Sequence, residues 1–179
     1  MDGKAVAAFL RENMKTEAQA LRAEGIVPTL AVVMVGDNPA SAVYVRNKQK
    51  AAADVGIESR QVTLPASARE EELLALIDRL NADETVHGIL VQLPLPSHID
   101  EAAVIFRIAP EKDVDAFHPQ TVGRLVAGDP TFLPCTPAGV TELLKYYHVQ
   151  TAGKHCVIVG RSNIVGKPMF HLMLAADAT

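Results

Sequence analysis

The sequence has few aromatic residues, few cysteines and no excess of positive charge. Its 179 residues include no tryptophan, three tyrosines and five phenylalanines, so we expect an aliphatic core. Neither the two cysteines, Cys135 and Cys156, nor the six histidines show metal-ligand spacing, and we expect no disulfide and no metal. The net charge of -4 argues against a nucleic-acid partner, because that function usually needs a basic surface.

Long hydrophobic runs are also missing. No stretch reaches the ~18 consecutive apolar residues of a membrane-spanning helix, and no signal-peptide pattern opens the chain. We therefore expect a cytoplasmic protein with no membrane partner.

What the sequence does contain is a regular alternation of strand and helix patterns. "TLAVVMVG" and "HGILVQLPL" are strong apolar runs, and "RQVTL" between them is a weaker one. Helical periods with short connections separate the runs, which predicts an α/β fold with a mostly parallel sheet and helices on both faces. The strands are predicted near 29–35, 58–64 and 87–93, with one more short strand left open, and the helices near 4–24, 40–55, 69–83 and 99–110.

Residues 110–137 interrupt this alternation. They hold five of the eleven prolines and are predicted to form an ordered loop with little regular structure, of the kind that is often functional or lies between domains. A helix (137–147), a strand (155–160) and a glycine-containing turn into another helix follow. We predict a first domain over 1–136 and the beginning of a Rossmann-like nucleotide-binding domain over 137–179.

The turn in "VIVGRSNIVGKP" (157–168) has features of a dinucleotide site. Small residues such as Gly160 and Gly166 let backbone N–H groups approach a pyrophosphate, whose charge a helix N-terminus favours. The pattern is G-x-S-x-x-V-G instead of G-x-G-x-x-G, so an ordinary strand-turn-helix is an equal alternative. Arg161 suits a 2′-phosphate and hence NADP, but it also fits a solvated arginine in a turn.

Tyr44 and Lys48 lie four residues apart and share one face of a predicted helix. This spacing suits a proton-transfer pair, and it equally suits a solvated helix face. Tyr-x-x-x-Lys is also the catalytic pair of short-chain dehydrogenases. In that family the nucleotide-binding turn precedes the pair, whereas here the order is reversed, so we set that family aside.

Five motifs in order, "SAVYVRNKQKAAADVGI", "GILVQLPLP", "PEKDVDAF", "PCTPAGV" and "GRSNIVGKP", carry a resemblance over nearly the whole chain. Together they closely resemble the bifunctional methylenetetrahydrofolate dehydrogenase/methenyltetrahydrofolate cyclohydrolase family. One departure is Ala116, where the resemblance leads us to expect glycine. Another is length, because the family continues for roughly a hundred residues more, the size of a second domain. We therefore expect this chain to be truncated.

The resemblance implies NADP-dependent oxidation of 5,10-methylenetetrahydrofolate and hydrolysis of the methenyl product to 10-formyltetrahydrofolate, in one cleft between two domains. It also implies a homodimer formed through the second domain. Lys48 is the implied catalytic lysine, Tyr44 stacks on the substrate, and Gln92 orients Lys48 and contacts the folate. Asp115 is implied to bind the pterin, and Asp113 has a structural part. The remaining implied site residues are Ser41, Leu93 and Pro94 for substrate, with Ser41 alternatively capping its helix, and Gly160, Arg161, Ser162 and Gly166 for NADP.

Two other functions fit parts of the sequence. One is a folate- or nucleotide-binding fragment without catalysis. The other is a two-domain dehydrogenase acting on an amino or hydroxy acid, against which "KDVD" and "QLPLP" both argue. Binding of a reduced folate between Tyr44 and Asp115, without binding of amino acids, would distinguish these readings.

Overall fold

A three-stranded parallel sheet in the order β2-β1-β3 forms the centre of the structure, a computed structural model that describes residues 1–179. β1 spans Thr29–Val35, β2 spans Glu58–Leu64 and β3 spans Gly88–Val91. The α/β fold and the predicted strands 29–35 and 58–64 are confirmed. The predicted third strand, 87–93, is longer than the observed β3, because the backbone leaves the sheet ahead of Pro94, a residue that has no N–H for a ladder.

Four helices accompany the sheet, as the periodic patterns predict. They are α1 (Gly3–Ala23), α2 (Pro39–Asp54), α3 (Glu70–Ala82) and α4 (Glu101–Arg107). Val32 and Val33, successive residues on β1, are both fully buried, so both faces of the central strand are covered. None of the helices combines the length and the apolar character needed to cross a membrane.

The main core is aliphatic, as the scarcity of aromatic residues predicts. Its members share contacts between one face of the sheet and α3 and α4; they include Ala31, Val33, Leu73, Ile77, Ile89, Val91 and Val104. Each fully buried Leu or Ile side chain contributes about 1.5–3 kcal/mol relative to exposure. This packing fixes the strand ends, from which the site described below is built.

Two compact units divide the chain. The sheet unit is Phe9–Lys112, and the terminal unit combines Met1–Ala8 with Asp113–Thr179. Within the terminal unit the backbone N–H of Asp2 donates to the hydroxyl of Tyr147 at 2.7 Å, which ties the start of the chain to this unit. The sequence-based boundary between 136 and 137 rests on motifs and stays a prediction.

The terminal unit contains α5 (Pro119–Val126), α6 (Cys135–Tyr146) and α7 (Gly166–Ala175). α5 corrects the expectation that 110–137 has little regular structure. Pro119 occupies the first turn, where a missing N–H is harmless, and His118 Nδ1 accepts from Gln120 N at 3.0 Å to cap the helix. The proline that suggested a loop therefore begins a helix.

The predicted strand at 155–160 is a second correction, because the structure assigns no strand there. Backbone pairing occurs at the start of this segment, where Thr179 N donates to Lys154 O at 2.8 Å and Cys156 N donates to Thr179 O at 2.6 Å. Beyond that point Val159 is 99% exposed. A strand needs a hydrogen-bonded neighbour along its length, and here the apolar pattern has a neighbour only at its beginning.

Candidate active site

The N-terminus of α2 is capped by Asn38. Its Oδ1 accepts from Ala40 N at 2.9 Å and from Ser41 N at 3.2 Å, which satisfies two N–H groups of the first turn. The suggested capping role of Ser41 therefore belongs to Asn38, and Ser41 is a buried residue inside the helix. Sequence reasoning missed Asn38, although an asparagine directly before a proline at a helix start is a capping signal.

Lys48 and Gln92 meet in the sheet unit, 44 residues apart in sequence. Lys48 Nζ donates to Gln92 Oε1 at 3.3 Å. The backbone N–H of Gln92 donates to Val33 O at 2.8 Å, which extends the β1–β3 ladder by one residue, and its Nε2 donates to Leu93 O at 2.7 Å. These two bonds hold the amide so that its oxygen faces the lysine. Gln92 can therefore hold Nζ of Lys48 at the carboxyl end of β3.

Tyr44 lies one turn before Lys48 on α2 and is 63% exposed, with no hydrogen bond from its hydroxyl within the chain. An exposed ring with a polar tip is able to stack on a planar ligand. Leu93 packs at the edge of the core, and Pro94 follows it through a cis peptide bond and is exposed. Gln92, Leu93 and Pro94 thus follow β3 at the strand end where parallel α/β sheets usually bind ligands.

The loop of residues 113–118, which we call the Asp115 loop, is ordered by Asp113. This residue is buried, and its Oδ2 accepts from His118 N at 2.8 Å while its carbonyl accepts from Ala116 N at 3.1 Å. The structural part predicted for Asp113 is confirmed. Ala116, where the resemblance leads us to expect glycine, has a φ of 57° and is buried, so it adopts a left-handed conformation that glycine adopts without strain.

The turn before α7 is closed by Ser162. Its Oγ accepts from Val165 N at 3.1 Å and from Gly166 N at 3.3 Å, which leaves the hydroxyl proton available to a ligand. A Cβ placed on Gly166 would lie 2.5 Å from the carbonyl carbon of Gly160 and 2.6 Å from Arg161 N. Gly166 is therefore needed for the close approach of α7 to the backbone of the turn.

These features fit a dinucleotide phosphate, because the turn offers small residues, a helix N-terminus and the exposed Arg161. The structure thus joins Lys48 with Gln92, and Gly160 with Arg161, Ser162 and Gly166. The convergence of Tyr44, Lys48, Gln92 and Asp115 on one cleft stays a prediction, since Asp115 belongs to the terminal unit. No group of three or more His, Cys, Asp or Glu side chains is arranged to hold a metal ion.

The fold and the two sites define an α/β protein with a turn that is suited to a dinucleotide phosphate. The chain belongs to the tetrahydrofolate dehydrogenase/cyclohydrolase family. The model of this family's catalytic domain matches residues 1–115, and the model of its NAD(P)-binding domain matches residues 134–179.

Similar proteins support this assignment along the whole chain. The bifunctional protein FolD of Halalkalibacterium halodurans is 60% identical over 179 residues, which are all of this chain and 64% of that protein. The crystal structure of the bifunctional FolD of Campylobacter jejuni matches with a TM-score of 0.98 and 51% identity, covering 99% of this chain and 64% of that one.

A structure of Trypanosoma brucei methylenetetrahydrofolate dehydrogenase-cyclohydrolase, complexed with NADP cofactor and inhibitor, matches with a TM-score of 0.93 and 41% identity. The match covers 100% of this chain and 62% of that one. The chain spans about 64% of the length of the curated relatives it matches.

Proposed function

We propose that the full-length protein oxidises 5,10-methylenetetrahydrofolate with NADP and hydrolyses the methenyl product to 10-formyltetrahydrofolate in one-carbon metabolism. The observation that carries this proposal is the hydrogen bond from Lys48 Nζ to Gln92 Oε1 at the end of β3. This bond places the amine of Lys48 at the strand end where ligands usually bind, and the relatives of this chain are named bifunctional. The two matching family models are those of a tetrahydrofolate dehydrogenase/cyclohydrolase, which argues against a dehydrogenase of amino or hydroxy acids.

Hydride loss from the methylene carbon leaves a cation shared between two nitrogens. NADP supplies the hydride acceptor when it is bound, and Gly160, Arg161, Ser162 and Gly166 are the residues proposed to hold it. Catalysis of this step depends chiefly on geometry, because no proton leaves the reacting carbon. Tyr44 is proposed to stack on the folate, and its large exposed area is available for that contact.

Hydrolysis requires proton transfer. Water attacks the cationic carbon, forms a C–O bond and loses a proton, after which a ring nitrogen takes up a proton and its bond to carbon breaks. Lys48 is proposed to accept the proton of the attacking water as a neutral amine and to return it to the ring nitrogen as an ammonium group. Gln92 offers this amine an acceptor and so fixes the direction of the side chain.

The remaining contacts to substrate are proposed from the chemistry of the residues. The carboxylate of Asp115 is proposed to accept hydrogen bonds from the amino-pyrimidine edge of the pterin, as carboxylates do with paired donors. Leu93 and Pro94 are proposed to contact the folate from the end of β3. Ser41 is only 6% exposed, which favours a packing role for it over the predicted substrate contact.

Lys48→Met tests the proposal, because it keeps the bulk of the side chain and removes the amine. In the full-length protein, cyclohydrolase activity should fall by about 10²–10⁴-fold, the range for a lost general base. Dehydrogenase activity should fall much less, so that methenyltetrahydrofolate accumulates. Both rates are measured on one preparation, with Lys4→Met, an exposed lysine of α1, as the control. Equal losses of both activities would show that Lys48 positions substrate and is not the base.

We further propose that the full-length protein is a cytoplasmic homodimer. The support is membership of the tetrahydrofolate dehydrogenase/cyclohydrolase family, since the resemblance implies a homodimer formed through the second domain. Light scattering on the full-length protein measures the assembly directly, and a monomer at micromolar concentration would contradict the proposal.

A further inference from the structure

The side chain of Lys112 serves as a cap for the end of α3. Its Nζ donates to three backbone carbonyls, those of Leu80 at 3.1 Å, Asn81 at 2.8 Å and Asp83 at 2.8 Å. An ammonium group has three hydrogens, so all of them are used. The carbonyls of the last helical turn have no partner inside the helix, and a positive charge is favoured there by the helix dipole.

The backbone of Lys112 is held as firmly as its side chain. Its carbonyl accepts from Ile89 N at 2.7 Å, and its N–H donates to Ala109 O at 2.8 Å. Ile89 is fully buried in the middle of β3, whose end leads directly to Gln92. One residue is thus bonded to α3, to β3 and to the segment after α4.

The chain leaves the sheet unit immediately after this residue. Lys112 is the last residue of the sheet unit, and Asp113 is the first residue of the Asp115 loop. Three peptide links separate Lys112 from Asp115, so the two Cα atoms lie at most about 11 Å apart. Any shift of Lys112 is therefore passed to the Asp115 loop through very few rotatable bonds.

We infer that Lys112 is a positioning residue that sets where the Asp115 loop begins and so directs Asp115 toward its ligand. The ligand in this inference rests on the proposed function, whereas the ordering of the loop does not. A lysine held by three carbonyls has no chemical task of its own. Its effect on catalysis should therefore appear in the binding of the folate and much less in the chemical steps.

Lys112→Met removes the ammonium and keeps most of the stem. Asn81→Ala is the matched control, because Asn81 also joins α3 to the following segment, donating to Arg107 O at 2.8 Å and accepting from Ala109 N at 3.0 Å, without using the ammonium. Lys112→Arg keeps a charge at the helix end and provides a second variant if the methionine variant does not fold.

The first measurement is amide hydrogen exchange of Ala116 and His118, whose N–H groups both bond to Asp113. In Lys112→Met both amides should exchange about tenfold faster, the scale of a lost charge-assisted hydrogen bond, and Lys112→Arg should lie between. Asn81→Ala should leave both rates as in the wild type. Unchanged exchange in Lys112→Met would overturn the inference, whatever the protein does with folate.

The second measurement is steady-state kinetics of the full-length protein with methylenetetrahydrofolate. Lys112→Met should raise KM about tenfold while kcat changes by less than about threefold, because one misplaced charged contact has that scale. Lys112→Arg should recover part of the KM. If the KM of Lys112→Met stayed at the wild-type value while its stability fell as in Asn81→Ala, Lys112 would only cap α3 and would not position the Asp115 loop. A wild type that does not turn over the folate at all refutes the proposed function, and the exchange rates then decide the inference alone.

Discussion

Replacing Gly166 with alanine should disturb the turn that is proposed to bind the cofactor. The added Cβ would lie 2.5 Å from both the carbonyl carbon and the oxygen of Gly160 and 2.6 Å from Arg161 N. Carbon atoms in ordinary contact are about 3.5–4.0 Å apart, so the backbone of α7 and the turn must separate by about 1 Å. All three crowded atoms belong to the backbone, and no side chain can rotate away to make room.

The size of the effect follows from two opposing contributions. Alanine in place of glycine favours a helix by up to about 1 kcal/mol, and less at its first residue. Forcing a methyl group into a packed site typically costs about 1–3 kcal/mol. We therefore expect the terminal unit to lose about 1–2 kcal/mol of unfolding free energy. The separation of the turn should also weaken NADP binding at least tenfold, because backbone groups about 1 Å out of place lose most of their hydrogen bonding.

The matched control is Gly139→Ala in the interior of α6, where a Cβ would meet nothing within 4 Å. This variant should be neutral or more stable by up to about 1 kcal/mol. Urea unfolding followed by circular dichroism measures both variants in this chain, and calorimetric titration with NADP measures affinity in the full-length protein. If Gly166→Ala matched Gly139→Ala in both measurements, the close approach of α7 to Gly160 would not be required for folding or for cofactor binding.

Arg161→Ala in the full-length protein should weaken NADP binding by about 1.5–3 kcal/mol, the range for charge-assisted hydrogen bonds, and NAD binding much less. Equal weakening of both in paired titrations would show that Arg161 does not contact the 2′-phosphate. Ala116→Gly should change the free energy of urea unfolding by less than about 1 kcal/mol. Glycine relieves about 1–2 kcal/mol of left-handed strain, but it loses about 0.4–1 kcal/mol through the entropy of the unfolded state and about 0.8 kcal/mol of methyl burial. Ala116→Val should clearly destabilise the protein. The hydrogen bonds from Arg107 hold the pKa of Asp78 below its usual value of 3.8, so Asp78→Asn should be less stable than wild type at neutral pH. That difference should vanish as pH falls through the lowered pKa, and a difference that persists in acid unfolding curves would contradict the assignment.

The sheet could be predicted from the sequence because burial on two faces leaves a continuous apolar run. β1 lies between β2 and β3, and its successive residues Val32 and Val33 are equally buried. Every residue of β2 is exposed or half-buried, which explains why its apolar pattern is weaker. A strand was therefore predicted correctly where its apolar run is matched by a hydrogen-bonded neighbouring strand.

The errors arose where an apolar or proline signal has two structural meanings. Residues 155–160 have the composition of a buried strand, yet a strand depends on hydrogen bonds to a neighbour that composition does not reveal. Pro119 could end regular structure or begin a helix, and in the structure it begins a helix that buries Leu125 six residues later. The first error concerns a hydrogen-bonded neighbour that is distant in sequence, and the second concerns a proline signal that fits both a loop and a helix start.

The candidate site shows the same division between local and distant information. A glutamine at the end of an apolar strand must find a hydrogen-bond partner if it is buried, so the sequence could mark Gln92 as a candidate. It could not name Lys48 as that partner, because only the parallel sheet and the packing of α2 bring residues 44 apart within 3.3 Å. The family resemblance supplied the pairing, and the structure gives its physical basis: the bond from Gln92 Nε2 to Leu93 O leaves only the oxygen to face α2. An amide oxygen accepts hydrogen bonds only from a donor such as Lys48 Nζ. The orientation of the Gln92 amide therefore requires a donor at the opposite position on α2.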